Sequence, residues 1–241
     1  MFKSILKPKP FGLDISKESI KVVQLPDKFA KVEFKQGIRA ALKKARIKSK
    51  YVIAALPEEK SFVRLIPKDG DIKKEIKANV PFPIDKIYYD WEETEKGLFF
   101  IAAVKKIVDQ YVSLLKKAGL IIQGLEPESI AITRALVQDK GNLMIIDMGA
   151  KKTKFIIVSN KIIRFTAVKQ ELNLVEQIHE YLKFYQIDKI LLCGGKSLKK
   201  GIDRSLSQEL KIKVERARPK ISLGCVQSTI YTTAIGLALR D

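Results

Sequence analysis

Apolar residues recur along this chain at two spacings, every second position and every third to fourth, and the switches between them divide it into short elements. Residues 11–16 and 19–25, the latter with Ile20, Val22, Val23 and Leu25, predict a β-hairpin across the polar Lys17-Glu18 turn, and a third short strand at 31–34. Ile38, Ala41, Leu42 and Ala45 stand at helical spacing within 36–47. Strands are expected at 51–56 and 61–66, joined by a charged turn at 57–60. A short basic helix at 71–80 is stopped by Pro81 and Pro83, which remove donors and clash with the preceding turn. A second strand pair, 87–91 with 98–104, leads into an amphipathic helix over 105–118. Its apolar face holds Ile107, Val108, Tyr111, Leu114 and Leu115, and Gly119 supplies a left-handed stop. A strand at 120–125 and a helix from Pro127 to about residue 137 complete the first half.

The second half restarts with an apolar strand at 143–147, a tight loop at 148–152, and strands at 153–158 and 162–167 around the Ser159-Asn160-Lys161 turn. A helix over 172–185, a buried strand at 189–193, the loop Gly194-Gly195-Lys196-Ser197, a helix to about residue 210 and a closing helix over 223–239 follow. Both halves open alike. An apolar strand ends in Asp (Asp14, Asp147), a short polar loop follows, and then come a hydroxyl residue (Ser19, Thr153) and a β-branched strand. This internal symmetry predicts two related lobes. The expected division is 1–35 for the first-lobe hairpin, 36–125 for an inserted α/β unit, 126–142 for a return helix, 143–222 for the second lobe and 223–241 for a C-terminal helix.

Composition narrows the chemistry. The 241 residues carry 46 Lys+Arg and 27 Asp+Glu, so 46 − 27 = +19 with the one His neutral. No uncharged apolar run reaches the roughly 18 residues of a membrane span, and residues 1–11 do not read as a signal peptide, so a cytoplasmic protein is expected. Two cysteines and one histidine cannot supply a disulfide framework, a four-ligand zinc site or a His-based triad. His179 reads as a surface residue, and Cys193 and Cys225 as packing residues. The aromatics Tyr88, Tyr89 and Trp91 read as core on a strand, with a peptide-anchoring role as the alternative. Lysine pairs such as Lys43-Lys44 and Lys199-Lys200 are spread along the chain, which suits a solvated basic surface better than a nucleic-acid site. The basic segment 1–9 is suited only to weak contact with anionic lipid.

The doubled strand-Asp-loop-hydroxyl unit carries the chemistry. A strand-to-strand turn presents backbone N–H groups and a hydroxyl to phosphate oxygens, and an Asp at the strand end orients the water shell of Mg²⁺. A Gly-Gly turn after a buried strand lets backbone approach a flat ligand such as adenosine. On these residues the chain resembles a family. Phe11-Gly-Leu-Asp-Ile-Ser-Lys-Glu-Ser-Ile-Lys-Val-Val-Gln-Leu25, Ile146-Asp-Met-Gly-Ala-Lys-Lys-Thr153, Leu192-Cys-Gly-Gly195 and Thr233-Ala-Ile-Gly-Leu-Ala-Leu-Arg240 are similar to the type IV pilus assembly PilM family. That family belongs to the actin-like ATPases related to the division protein FtsA. Ala55-Leu-Pro57, Ser61-Phe-Val-Arg64, Val80-Pro-Phe-Pro83, Tyr88-Tyr-Asp-Trp91 and Leu114-Leu-Lys-Lys-Ala-Gly119 support the resemblance within the inserted unit.

The resemblance implies an α/β, actin-like ATPase (ribonuclease H-like) fold of two related lobes, with an inserted subdomain 1C and a reduced second lobe. It implies Asp14, Ser16 and Ser19 in a first phosphate loop, Asp147, Gly149 and Thr153 in a second, and Gly194 and Gly195 in an adenosine loop. ATP is the implied cofactor, with Mg²⁺ held through water by Asp14 and Asp147. Ser16 and Lys196 stand where the family has glycine. The implied role is a cytoplasmic scaffold, peripheral at the inner face of the cell membrane. It binds the N-terminal tail of a PilN-like inner-membrane protein in a groove involving 1C, and connects to pilus motor components. Hydrolysis needs a group that orients the attacking water. Only Gln170 and Glu171 lie near the second loop, and Glu171 reads as a first-turn helix acid, so turnover is expected to be slow or absent. A small-molecule kinase on the same fold and a basic nucleic-acid-binding protein stand as alternatives.

Overall fold

The computed structural model describes residues 9–67, 71–170, 173–224 and 228–240. The first sheet opens with β1 (Phe11–Ile15), which pairs antiparallel with β2 (Ser19–Gln24), as β2 does with β3 (Lys28–Glu33). Helix α1 (Gly37–Lys44) carries the chain back so that β4 (Tyr51–Leu56) lies parallel to β1. The chain then leaves this sheet for a smaller one, formed by β5 (Ser61–Ile66), β6 (Ile87–Thr94) and β7 (Gly97–Val104), with α2 (Ile72–Asn79) between β5 and β6. Asp71 caps α2 by accepting the Lys73 N–H at 2.9 Å. Helix α3 (Lys105–Lys117) returns the chain to the first sheet, where β8 (Ile121–Pro127) runs parallel to β4.

Helix α4 (Glu128–Leu136) leads to the second sheet of β9 (Asn142–Met148), β10 (Lys152–Ser159), β11 (Ile162–Gln170), β12 (Lys189–Cys193) and β13 (Lys213–Arg216), with α5 (Leu174–Leu182) and α6 (Ile202–Leu210) between its later strands. The strand orders, β3-β2-β1-β4-β8 and β11-β10-β9-β12-β13, are the same arrangement twice, an antiparallel trio followed by two parallel strands. The final described helix, α7 (Thr232–Ala238), goes back to the first sheet.

Strand period fixes the layers. Phe11, Leu13, Val22, Val52 and Ala54 face one side of the first sheet with Ile38 and Ala41 of α1 and Leu115 of α3. Met144, Ile146, Phe155 and Ile157 face the outer side of the second sheet with Ile178 of α5 and Leu206 of α6. Between the sheets lie α4 and α7, whose Ile132, Ala135, Ala234 and Ile235 pack with Val23, Ile145, Ile156 and Val158. Alternation therefore turns Asp14 and Asp147 inward, toward the other lobe. The two inner helices cross closely at Gly236, where a Cβ would overlap the carbonyl oxygen of Ala131.

Several expectations change. The smaller sheet spans only Ser61 to Val104, because β4 and β8 belong to the first sheet, so the inserted unit is narrower than 36–125. Strand β4 is buried on both faces and lacks the alternation that marks a hairpin partner for β5. Tyr88, Tyr89 and Trp91 are 48%, 41% and 46% exposed, not core. Strand β6 is the open edge of its sheet, and only Ile87 at its start joins the cluster of Ile76, Val80 and Phe100 beneath α2. The closing helix is shorter than 223–239. Residues 223–224 are not helical, Ser228–Tyr231 form a 3-10 turn, and α7 begins at Thr232. His179 is exposed and Cys193 buried, as read from the sequence. The readings for residues 1–8, Glu171, Leu172 and Cys225 lie outside the described residues.

Candidate functional site

The two inward aspartates lie between the lobes, near enough that each acts on the other's lysine, and each faces a lysine of its own. In the β1-β2 hairpin Asp14 lies directly opposite Lys21, and in the β9-β10 hairpin Asp147 lies directly opposite Lys154. Such cross-strand neighbours on one face are within contact distance. Lys21 Nζ donates to Asp14 Oδ2 at 2.7 Å and Lys154 Nζ to Asp147 Oδ2 at 2.7 Å. Lys154 also reaches Glu128 Oε1 of α4 at 3.0 Å. Glu128 in turn accepts the Glu58 N–H at 3.2 Å, and the Glu58 carboxylate accepts the Ser129 N–H at 2.9 Å, binding an orphan donor at the start of α4. At the mouth of the cleft, Lys151 pairs with Glu18 at 3.0 Å and Lys152 pairs with Glu59.

Burial dominates the electrostatics. It pushes the Lys154 ammonium toward the neutral form, but Asp147, Glu128 and Asp14 hold it protonated, well above the ordinary lysine value. Lys21 is likewise raised, with Asp14 outweighing burial. Burial pushes Asp147 up, and Lys154, Lys21 and the Cys193 thiol more than reverse this, leaving it below its ordinary value. Glu128 lacks enough compensation. Burial lifts it to about 7, with Asp14, Asp147 and Glu58 adding to the rise and Lys154 opposing it.

The loops turn their polar groups on themselves. The Ser16 N–H bonds to the Ser19 carbonyl at 2.9 Å, and the Ser19 N–H bonds to Ser16 Oγ at 3.0 Å. The Gly149 N–H bonds to the Lys152 carbonyl at 2.9 Å. Thr153 is half-buried next to Lys154. Gly194 has φ +82, and a Cβ there would overlap Asp147 Oδ1, so this glycine seats the β12 loop against the carboxylate. Gly195 is exposed, with open space where a Cβ would stand. Gln170 ends β11 on the surface, opposite Lys152.

The structure thus gathers Asp14, Ser16, Ser19, Asp147, Gly149, Thr153 and Gly194 around one cleft. The sequence reading missed Lys21, Lys154, Glu58 and Glu128. The lysines had a signal, since each follows its aspartate by the same seven residues (21 − 14 and 154 − 147) around a hairpin turn. The glutamates had none, because α4 and the turn after β4 meet only in the fold. Mg²⁺ held by carboxylates needs oxygens free to orient its waters. Here ammonium groups already engage both aspartates, and among the described residues no group of three or more His, Cys, Asp or Glu is arranged to hold a metal ion. As the side chains stand, the cleft does not fit Mg²⁺ and nucleotide. A cavity of about 780 Å³ lies away from this cluster, lined by Asp139, Lys140, Asp188 and Arg218 among others, and one of about 270 Å³ adjoins it between β5 and β11, with Glu58, Glu59, Arg64 and Thr166 in its wall.

Two lobes of identical strand order around a cleft flanked by paired hairpin loops define the actin-like ATPase fold. This chain has it in a PilM-like form: it is similar to the structure solved as a PilM-PilN type IV pilus biogenesis complex, with TM-score 0.79 and 18% identity over 96% of this chain and 98% of that one. It is also similar to the cytoplasmic domain of EpsL, an inner-membrane component of the type II secretion system of Vibrio cholerae, with TM-score 0.59 and 7% identity over 95% of this chain and 94% of that one. A third likeness is to MreB5 of Spiroplasma citri bound to ADP, with TM-score 0.55 and 9% identity over 94% of each chain. No family model matches the chain, and no curated protein matches it in sequence.

Proposed function

We propose that this chain is a non-catalytic scaffold of type IV pilus assembly that holds a short cytoplasmic segment of a PilN-like inner-membrane protein. The observation that carries the reading is the likeness over nearly the whole chain to the PilM-PilN complex. No helix among the described residues is long and apolar enough to cross a membrane, so peripheral attachment at the inner face of the membrane would come through that partner, as would the connection to motor components. The open edge of β6 suits such a segment. It carries Tyr88, Tyr89 and Trp91 beside Asp90 and Glu92, all exposed, on a chain of net charge +19. Cytoplasmic segments flanking membrane spans are enriched in Lys and Arg, and an extended segment can add to an open edge through main-chain hydrogen bonds.

Trp91 is the only tryptophan, so its fluorescence reports on this edge. Titration with a synthetic N-terminal tail of a PilN-like protein is expected to shift the emission. By anisotropy of a labelled tail, Trp91→Ala weakens binding about tenfold or more, as loss of an aromatic anchor does. A tail that leaves the emission unchanged and is not retained by the protein would remove the reading. Modulation by Mg-ATP is a second reading, favoured by the likeness to MreB5 bound to ADP. It requires Lys21 and Lys154 to release their aspartates, and calorimetric titration with Mg-ATP decides it.

A further inference from the structure

We infer that Lys21 and Lys154 stand in for the positive charge a metal ion would bring to this cleft, so that the lobes are locked together by side chains and do not cycle with nucleotide. The inference concerns a different part of the molecule from the partner edge. Three independent features meet in it. First, the ion pair is doubled: each lobe presents the same cross-strand Asp-Lys couple, both at 2.7 Å. Second, Lys154 joins the lobes, since it bonds Asp147 of the second sheet and Glu128 at the start of α4, with a side chain only 15% exposed. Third, the loop after β9 is tied to the first lobe at two points, Lys151 to Glu18 of the opposite loop on the surface and Lys152 to Glu59 of the turn after β4.

Charge balance supports the same conclusion. Asp14, Asp147, Glu128 and Glu58 bring at most four negative charges; burial raises Glu128 and Glu58 toward the neutral form, and two ammonium groups face the other two. A divalent cation entering this cluster would have to displace Lys21 from Asp14, or Lys154 from Asp147 while Glu128 still holds it. On the β12 side the Gly194 backbone sits against Asp147 Oδ1 with no room for a Cβ.

Hydrogen exchange of the intact protein tests this, followed over residues 14–21 and 147–154, with thermal unfolding beside it. Millimolar Mg-ATP is expected to change neither the protection of these loops nor the midpoint of the wild-type protein. Lys154→Gln is expected to lose protection in both loops together, since one residue holds both lobes. The double variant Asp147→Asn/Lys154→Met, which removes both charges of one pair, recovers part of that loss, because Asp147 is no longer left charged and Glu128, already lifted to about 7, is left to take up a proton. Should Lys154→Gln not fold, the double variant and the wild-type titration still decide. A higher wild-type midpoint, or new loop protection, with Mg-ATP overturns the inference. So does the same response to ATP or pyrophosphate without Mg²⁺, which would make the lysines phosphate ligands. Unchanged protection in folded Lys154→Gln overturns it as well. Tail binding at β6 is read separately by Trp91 fluorescence, so failure of one reading leaves the other standing.

Discussion

Lys154 bonds carboxylates from two lobes, and this makes it the most consequential single side chain in the cleft. Removing one partner of a buried ion pair leaves the other charged and unpaired, so Lys154→Ala is expected to cost about 3–5 kcal/mol in chemical denaturation at neutral pH. Glu128 gives a pH signature. Burial lifts its carboxyl from an ordinary 4.5 to about 7, amid Asp14 on β1, Asp147 on β9, Glu58 after β4 and Lys154 on β10. The folded state then holds a proton that the unfolded chain lacks between these values, so this contribution is complete below about pH 4.5 and is lost as pH rises through about 7. Measured against Glu128→Gln, the wild-type protein is expected to lose up to roughly 3 kcal/mol of stability between pH 4.5 and pH 8. A flat difference between the two proteins would contradict the raised value. Asp14 and Asp147 were legible in the sequence because each ends an apolar strand before a polar loop. Their lysine partners left only the shared seven-residue spacing as a signal, since a lysine within a strand reads as solvent-facing until the register places it opposite a carboxylate.

At the scale of elements, the close crossing of α4 and α7 rests on Gly236. A methyl group there meets the Ala131 carbonyl, and Gly236→Ala is expected to lower stability by about 1–3 kcal/mol through overpacking, which thermal unfolding would show. Alanine favours helix by about 1 kcal/mol over glycine, so a stabilised variant would mean that the crossing relaxes at little cost. Most elements could be read from periodicity because each has one buried face, as in α3, whose Leu115 packs beneath the first sheet. Membership of a sheet was less legible. Strands β4 and β5 are separated by only a few residues yet lie in different sheets, and no local pattern distinguishes a hairpin from a departure into an inserted unit. The short β13 was missed for a similar reason, since only Val214 of its four residues is fully buried. The exposed β6 aromatics were misplaced because an aromatic strand usually fills a core, and an open edge is a property of the sheet as a whole.

For the whole molecule, the doubled strand order makes the internal symmetry seen in the sequence concrete: two hairpins, two aspartates and two lysines around one cleft. The charge of +19 is a property of the same scale. Several of its lysines are committed to carboxylates, among them Lys21, Lys152 and Lys154, and the rest are spread along the chain. Any retardation of duplex DNA at about 50 mM salt is therefore expected to vanish by about 200 mM, as for purely electrostatic contacts. Sequence-dependent retention at the higher salt would favour the nucleic-acid reading instead.

The return of α7 to the first sheet also has a temporal side. Its Leu237 packs with Ile53 and Ala55, and its Ala234 and Ile235 join the cluster that contains Val23. A ribosome delivers those strands early and this helix only after the second sheet has been made. The lobe translated first is thus completed last, and through most of synthesis the nascent chain carries an uncovered apolar wall of the kind that holdase chaperones bind.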